Sequence, residues 1–286
     1  MQINLVYMII DSHQHFWIYD AERDAWINDE MTRIRRNFLP EDLQSVLAAN
    51  GVDGCVAVQA DQSDAETLFL LALAEKYSNF VKGVVGWVDL RADNLYERLD
   101  YYSQYELLKG FRHVAQAEPD DFLARPELIK GIRQLAAFDF TYDILIYPTQ
   151  LKAALHLVRE VSEVKFVVDH IAKPYIKDQK INTWSNYMRQ LAAQPHVYCK
   201  VSGMVTEADW KNWTKKDFYP YLDIVFEAFG TDRLLFGSDW PVCLVAAEYE
   251  QVIGLVREYM IHVGFSVVDQ AKVLGGNATR FYRLDE

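Results

Sequence analysis

Eight short, strongly apolar runs recur along the chain at near-constant spacing, and this repeat limits the possible folds more than any other feature. They are residues 8–13 (MIIDSH), 53–60 (DGCVAVQA), 81–88 (VKGVVGWV), 108–114 (LKGFRHV), 140–147 (FTYDILIY), 165–170 (KFVVDH), 197–202 (VYCKVS) and 233–239 (RLLFGSD). Nearly all are too apolar to be strands with one wet face, so they read as parallel strands covered on both sides. From the second run onward their starts (53, 81, 108, 140, 165, 197, 233) lie 25 to 36 residues apart. One strand–helix unit needs about 30 residues.

The intervening segments carry helical signals. Residues 41–49 follow Pro40 and stop at Asn50–Gly51, and Ser63 with Glu66 makes a capping-box pattern before the next helix. Leu95, Leu99 and Tyr102 stripe a third helix; Leu128, Ile132 and Leu135 stripe a fourth. Thr149 is placed to cap a fifth, which buries Leu151, Ala154, Leu155 and Val158. Residues 183–193, 216–229 and 246–262 supply three more, and Ser266 with Asp269 opens a last helix ending near Gly275–Gly276. This pattern is an α/β fold, a single (β/α)8 barrel over residues 8–286 preceded by an extension, 1–7. A doubly wound open sheet is the competing topology, but no glycine-rich phosphate turn follows the first strand. The segment 16–40 is long for a barrel loop and holds Trp17, Tyr19 and Trp26, which marks it as functional.

Composition narrows the partners. With 29 basic and 41 acidic residues the net charge is −12, which argues against nucleic acid or an anionic membrane surface. Three cysteines without short spacing make neither a disulfide framework nor a thiolate metal site, and Cys55 and Cys199 read as buried small hydrophobes. No run reaches the ~18 apolar residues of a membrane span, and the N-terminus lacks a basic region and a cleavage motif. The expected setting is cytoplasmic, and the oligomeric state is not fixed by these features.

In such a barrel, chemistry lies at the C-terminal strand ends. There the first run delivers His13 and His15, two residues apart and so on one face. Others deliver Gln59, Trp87 with Asp89, Arg112 with His113, Tyr147, Asp169 and His170 with Lys173 just beyond, Lys200 with Ser202, and Ser238, Asp239 and Trp240. Individually each has a plain structural reading, a core histidine or a helix cap. Convergence of His13, His15, His170 and Asp239 at one end of one axis is not what coincidental capping would produce. Of Arg112 and His113 only one can face inward, and the arginine better suits a carbonyl or hydroxyl-rich ligand. Lys200 reads as an inward layer residue or a base, while His156, His196 and His262 have no assigned role. Trp17, Trp87, Trp210, Trp213 and Trp240 lie in or beside strand-to-helix loops, where flat faces suit a sugar ring, although simple packing of long loops accounts for at least two of them.

The motifs DSHQHFW (11–17), GWVDL (86–90), KGFRH (109–113), VVDHIAKP (167–174), KVSG (200–203), LLFGSDWPVC (234–243) and GGNATRFY (275–282) together resemble the amidohydrolase superfamily, within it the sugar lactonases. The resemblance spans residues 9 to about 282 and implies a (β/α)8 hydrolase that opens an aldonolactone, such as L-fuconolactone or L-rhamnonolactone. By position, Asp239, His170, His13 and His15 are its catalytic residues, and Arg112, Trp17, Gln59, Trp87, Tyr147 and Trp240 its substrate contacts. The fifth strand ends at Tyr147 rather than a histidine, and no fourth-strand lysine offers a bridging ligand, so a two-metal site is not expected. No cofactor is required on this reading, although one divalent cation such as zinc could occupy His13, His15, His170 and Asp239. Asp239 would activate water and the histidines with Arg112 would hold the oxyanion. Competing readings are a hydrolase of another lactone or a pyrone, and a metal-dependent decarboxylase on the same barrel.

Overall fold

The computed structural model describes residues 8–284; the expected extension 1–7 lies outside them. Eight strands form one parallel sheet in chain order: β1 (Ile10–Gln14), β2 (Gly54–Val58), β3 (Val81–Gly86), β4 (Leu108–His113), β5 (Thr141–Ile144), β6 (Phe166–Val168), β7 (Val197–Val201) and β8 (Leu234–Phe236). The sheet curls until its ends meet. Past β8 the chain bonds back to β1, with Asp239 N–H donating to the His13 carbonyl at 2.8 Å and His15 N–H to the Trp240 carbonyl at 2.7 Å. All eight expected strands are present, as a single (β/α)8 barrel. Several are shorter than their apolar runs, so His170 and Asp239 stand on the loops just beyond β6 and β8.

Helices cover the barrel: α1 (Pro40–Ala49), α2 (Asp64–Lys76), α3 (Leu95–Tyr102), α4 (Pro126–Gln134), α5 (Leu151–Glu160), α6 (Asn182–Ala192), α7 (Lys215–Phe229) and α8 (Tyr249–Val263), followed by α9 (Val267–Ala271) and α10 (Asn277–Tyr282). Their striped faces are buried as expected, among them Leu95, Leu99 and Tyr102 on α3 and Leu128 and Ile132 on α4. No helix among the described residues is long and apolar enough to cross a membrane. Cys55, Cys199 and Cys243 are free and buried.

Two expected helix ends differ. Thr149 does not cap α5; its hydroxyl donates to Asp120 at 2.7 Å, and the helix begins after Gln150 without a side-chain cap. The last helix does not stop at Gly275–Gly276 but runs through a π turn, Lys272–Gly276, into α10. Gly275 is there for close approach: a Cβ would stand 1.9 Å from the Met8 carbonyl oxygen, on the residue leading into β1.

The same constraint governs Gly131 on α4, where a Cβ would fall 1.8 Å from the Leu90 carbonyl oxygen. Gly131→Ala should therefore cost roughly 1–3 kcal/mol through forced displacement. On α8, Gly254→Ala meets only the Glu258 carboxylate tip, at 3.9 Å, and should stabilise by up to about 1 kcal/mol through helix propensity. Denaturant midpoints moving in opposite directions are the expected outcome.

Candidate functional site

The barrel axis is polar where most such interiors are apolar. The Lys200 ammonium, fully buried, lies 2.5 Å from Asp143 Oδ2, 3.0 Å from Asp169 Oδ1 and 3.1 Å from His13 Nδ1. Tyr282 of α10 donates its hydroxyl to Asp143 at 2.7 Å, closing this cluster from below. Arg112 lies above it, its Nη1 3.2 Å from both Asp169 Oδ2 and His13 Nε2 and its Nη2 donating to the Gln59 carbonyl. Strand alternation thus turns Arg112 inward, as expected, and His113 outward. His113 stacks on Phe122, faces Glu118 at 3.0 Å and accepts from Trp87 Nε1 at 3.3 Å.

Burial and charge set these ionisation states. Burial raises the Asp143 carboxyl to about 6. Burial also works against ionised Asp169, but Lys200, His13 and Arg112 outweigh it and hold that carboxyl well below its ordinary range. Lys200→Met would leave buried Asp143 without its cation and Asp169 with Arg112 alone, and should cost about 3–5 kcal/mol. Urea unfolding of that variant checks this, and adding Asp143→Asn should recover part of the loss.

Above this layer the catalytic candidates converge. His15 Nε2 is 3.3 Å from Asp239 Oδ1, His170 Nε2 3.8 Å and His13 Nε2 3.9 Å. His15 Nδ1 donates to the Val58 carbonyl at 2.7 Å, because a carbonyl can only accept, so its Nε2 is left to face Asp239. His170 Nδ1 is 2.9 Å from the Ser202 hydroxyl, which likewise aims its Nε2 inward. Burial opposes ionisation of Asp239, yet His170, the His15 hydrogen bond and His13 together hold its carboxyl far below its ordinary range. Burial pushes His170 down to about 4 and His13 well below the usual imidazole value. The result is an ionised carboxylate ringed by imidazoles.

The loop that carries His170 is unusual. His170, Ile171, Ala172 and Lys173 all adopt left-handed backbone, with φ of 54°, 47°, 59° and 45°. Each costs a non-glycine residue on the order of 1–2 kcal/mol, and strain of this kind gathers at functional sites. Packing holds the turn in place: Ile171 and Ala172 are fully buried, and Trp184 Nε1 donates to the Ile171 carbonyl at 2.7 Å. Gly203, from the KVSG motif, makes room for the imidazole, since a Cβ there would stand 2.4 Å from His170 Nδ1.

These residues open into a cavity of about 340 Å³, lined by His15, Arg112, His170 and Asp239, with Trp17, Trp26, Gln62, Gln116 and Lys173 on its walls. Of the expected substrate contacts, Arg112 and Trp17 line it. Gln59 lies beneath, its amide donating to the Arg112 carbonyl at 3.1 Å. Trp87 pairs with His113, Trp240 packs on Phe16 and Phe38, and Tyr147 is part-exposed, its ring 5.5 Å from the Lys173 ammonium. None of these four is on the cavity wall. Sequence reasoning missed Gln62, Gln116 and the buried Asp143. Asp11 was missed too; it accepts from the backbone N–H of Ser238 at 2.8 Å and from the Tyr249 hydroxyl at 3.0 Å. The available signal was an ionisable residue inside an otherwise apolar run, carried by Asp11, Asp143 and Lys200 alike.

The donor set fits one divalent cation. His13, His170 and Asp239 each offer a ligand atom, all within 4.8 Å of one another, and two imidazoles with a carboxylate suit zinc. His15 falls outside that set of three. Arg112 and Lys200, each within hydrogen-bonding distance of a His13 nitrogen, compete with such an ion for the imidazole.

The amidohydrolase family profile matches residues 10–284. The chain is 39% identical to the L-fucono-1,5-lactonase of Burkholderia multivorans over 288 residues, 97% of this chain and 96% of that protein. A crystal structure of an amidohydrolase from Burkholderia multivorans with bound zinc superposes with a TM-score of 0.93 at 39% identity, covering 96% of this chain and 99% of that one. The L-rhamnono-gamma-lactonase of Scheffersomyces stipitis is 23% identical over 204 residues, 64% of this chain and 61% of that protein.

Proposed function

The chain belongs to the amidohydrolase family, and on that premise we propose that it hydrolyses a neutral sugar lactone, L-fucono-1,5-lactone or a close aldonolactone, to the sugar acid. The observation that carries this reading is Asp239 held against His15, His170 and His13 at the floor of a cavity whose walls include the Trp17 and Trp26 indoles and the Gln62 and Gln116 amides. Full-length similarity to a lactonase supports it independently. A cytoplasmic setting suits the free cysteines.

Asp239 stays ionised across the working pH range and orients water toward the lactone carbonyl. As the water attacks, its proton passes to the carboxylate and a tetrahedral oxyanion forms. A carboxylate of low basicity suffices only because the cyclic ester is itself activated. Arg112, which lines the cavity, stabilises the oxyanion. Trp17 and Trp26 offer apolar faces to the sugar ring, and the Gln62 and Gln116 side chains offer amide groups on the same wall. Among the described residues, the lysine and arginine side chains on the cavity wall are Arg112 and Lys173, and Asp61 and Asp239 share that wall. This balance suits a neutral lactone better than a pyrone dicarboxylate.

A divalent cation on His13, His170 and Asp239 would act as a Lewis acid toward carbonyl and water. Because Arg112 and Lys200 already flank His13, we expect turnover to survive exhaustive chelation to within about tenfold. Initial rates after dialysis against a chelator, with metal content assayed, check this; complete loss restored by zinc is the contrary result.

In a pH-indicator assay the wild type should release acid from L-fucono-1,5-lactone. Asp239→Asn should lower kcat about a thousandfold while the circular dichroism spectrum and melting temperature stay near those of wild type. Wild-type turnover in that variant would exclude Asp239 as the base.

A further inference from the structure

Opening a cyclic ester takes groups at its carbonyl; telling a sugar lactone from a bare cyclic ester takes groups at its hydroxyls. A hydroxyl is best told apart by a polar atom that is fixed in place before the ligand arrives and has no partner of its own. Gln62, on the loop between β2 and α2, meets both conditions on the cavity wall.

Its orientation is set by chemistry. The side-chain oxygen, Oε1, accepts from the backbone N–H of Val114 at 2.8 Å. A backbone N–H can only donate, so the atom against it is the amide oxygen, and the amide nitrogen is the end left over. Among the described residues no acceptor lies against that nitrogen. The bond joins the loop after β2 to the first residue after β4, and a second tie runs alongside it, from the Gln59 amide to the Arg112 carbonyl at 3.1 Å. The donor is therefore held in place by the frame of the barrel mouth.

Asp61, the preceding residue, lines the same cavity. Its Oδ2 accepts from the Ser63 hydroxyl at 2.7 Å, and its Oδ1 takes no hydrogen bond among the described residues. Two consecutive residues thus bring one donor and one acceptor to the wall. A sugar hydroxyl complements both at once, because it has a proton to give and lone pairs to accept with.

We propose that Gln62 is a specificity-determining residue, its amide nitrogen donating to a ring hydroxyl of the lactone while that hydroxyl gives its proton to Asp61. This rests on the lactonase reading and deepens it, naming the contact that favours a hydroxylated lactone over an unhydroxylated one of the same ring.

Two substitutions test this. Gln62→Glu keeps an oxygen for Val114 N–H and the side-chain length, but it replaces the donor with an acceptor, so the hydroxyl meets two acceptors with one proton. Gln62→Met removes the donor and the tie together. With L-fucono-1,5-lactone, both variants should raise KM about tenfold or more while kcat stays within about threefold of wild type, and the melting temperature of Gln62→Glu should stay near that of wild type. δ-Hexalactone is the same methyl-bearing ring without its hydroxyls; its KM, or its inhibition constant against L-fucono-1,5-lactone, should move less than about threefold in both variants. A KM for L-fucono-1,5-lactone within about threefold of wild type in Gln62→Glu would overturn the proposal, because the tie to Val114 alone would then account for the residue. An equal rise for both lactones, the mark of general damage to the cavity, would overturn it too, as would a loss confined to kcat. If the wild-type enzyme leaves every aldonolactone unopened, the lactonase reading itself falls, and the role of Gln62 with it; wild-type turnover with an unmoved KM in the variants strikes the role of Gln62 alone.

Discussion

The seam that closes the barrel is the constraint on which the site depends. Two backbone hydrogen bonds, Asp239 to His13 and Trp240 to His15, join the loop after β8 to β1. The same bonds fix the carboxylate beside both imidazoles. Asp11 reinforces the seam by accepting from Ser238 N–H on the far side and from Tyr249 of α8. Its carboxyl is raised to about 6 by burial, so the contact is retained despite an electrostatic cost. Closure of the fold and assembly of the candidate site are one event.

Beneath the seam the axis is filled by charge. Lys200 between Asp143 and Asp169, with Arg112 above and Tyr282 below, is a closed polar network in an interior where apolar layers are common. Such ion pairs contribute little net stability once desolvation is counted. Their consequence here is directional: Asp169 and Arg112 lie against opposite nitrogens of His13, so the ring cannot turn without breaking a contact. Strain is the second device. The left-handed turn at 170–173 is tolerated because buried Ile171 and Ala172 anchor it, and it sets both His170 and Lys173 on the cavity wall.

Much of this was legible in the sequence, for specific reasons. Parallel strands buried on both faces must be apolar, so the eight runs and their spacing identified the barrel. His13 and His15 share a face by strand periodicity, and Asp239 terminates an apolar run at the end where barrel chemistry occurs. The misplacements share one cause. Trp87, Trp240 and Tyr147 follow strands in sequence, yet loop geometry turns them onto His113, Phe38 and the Lys173 side of the rim instead of the cavity wall. A loop has no fixed period from which side-chain direction can be read.

The sequence by itself determined the architecture and which polar residues stand at the strand ends, because hydrophobic period and strand-end position are properties of local chain order. Tertiary structure alone decided which groups touch. It paired Lys200 with Asp143 across 57 positions, set Asp11 against Tyr249 across 238, and brought Gln62 and Gln116 to one wall. Those contacts arise from barrel closure, which joins residues distant in the chain through packing and charge that no local pattern encodes.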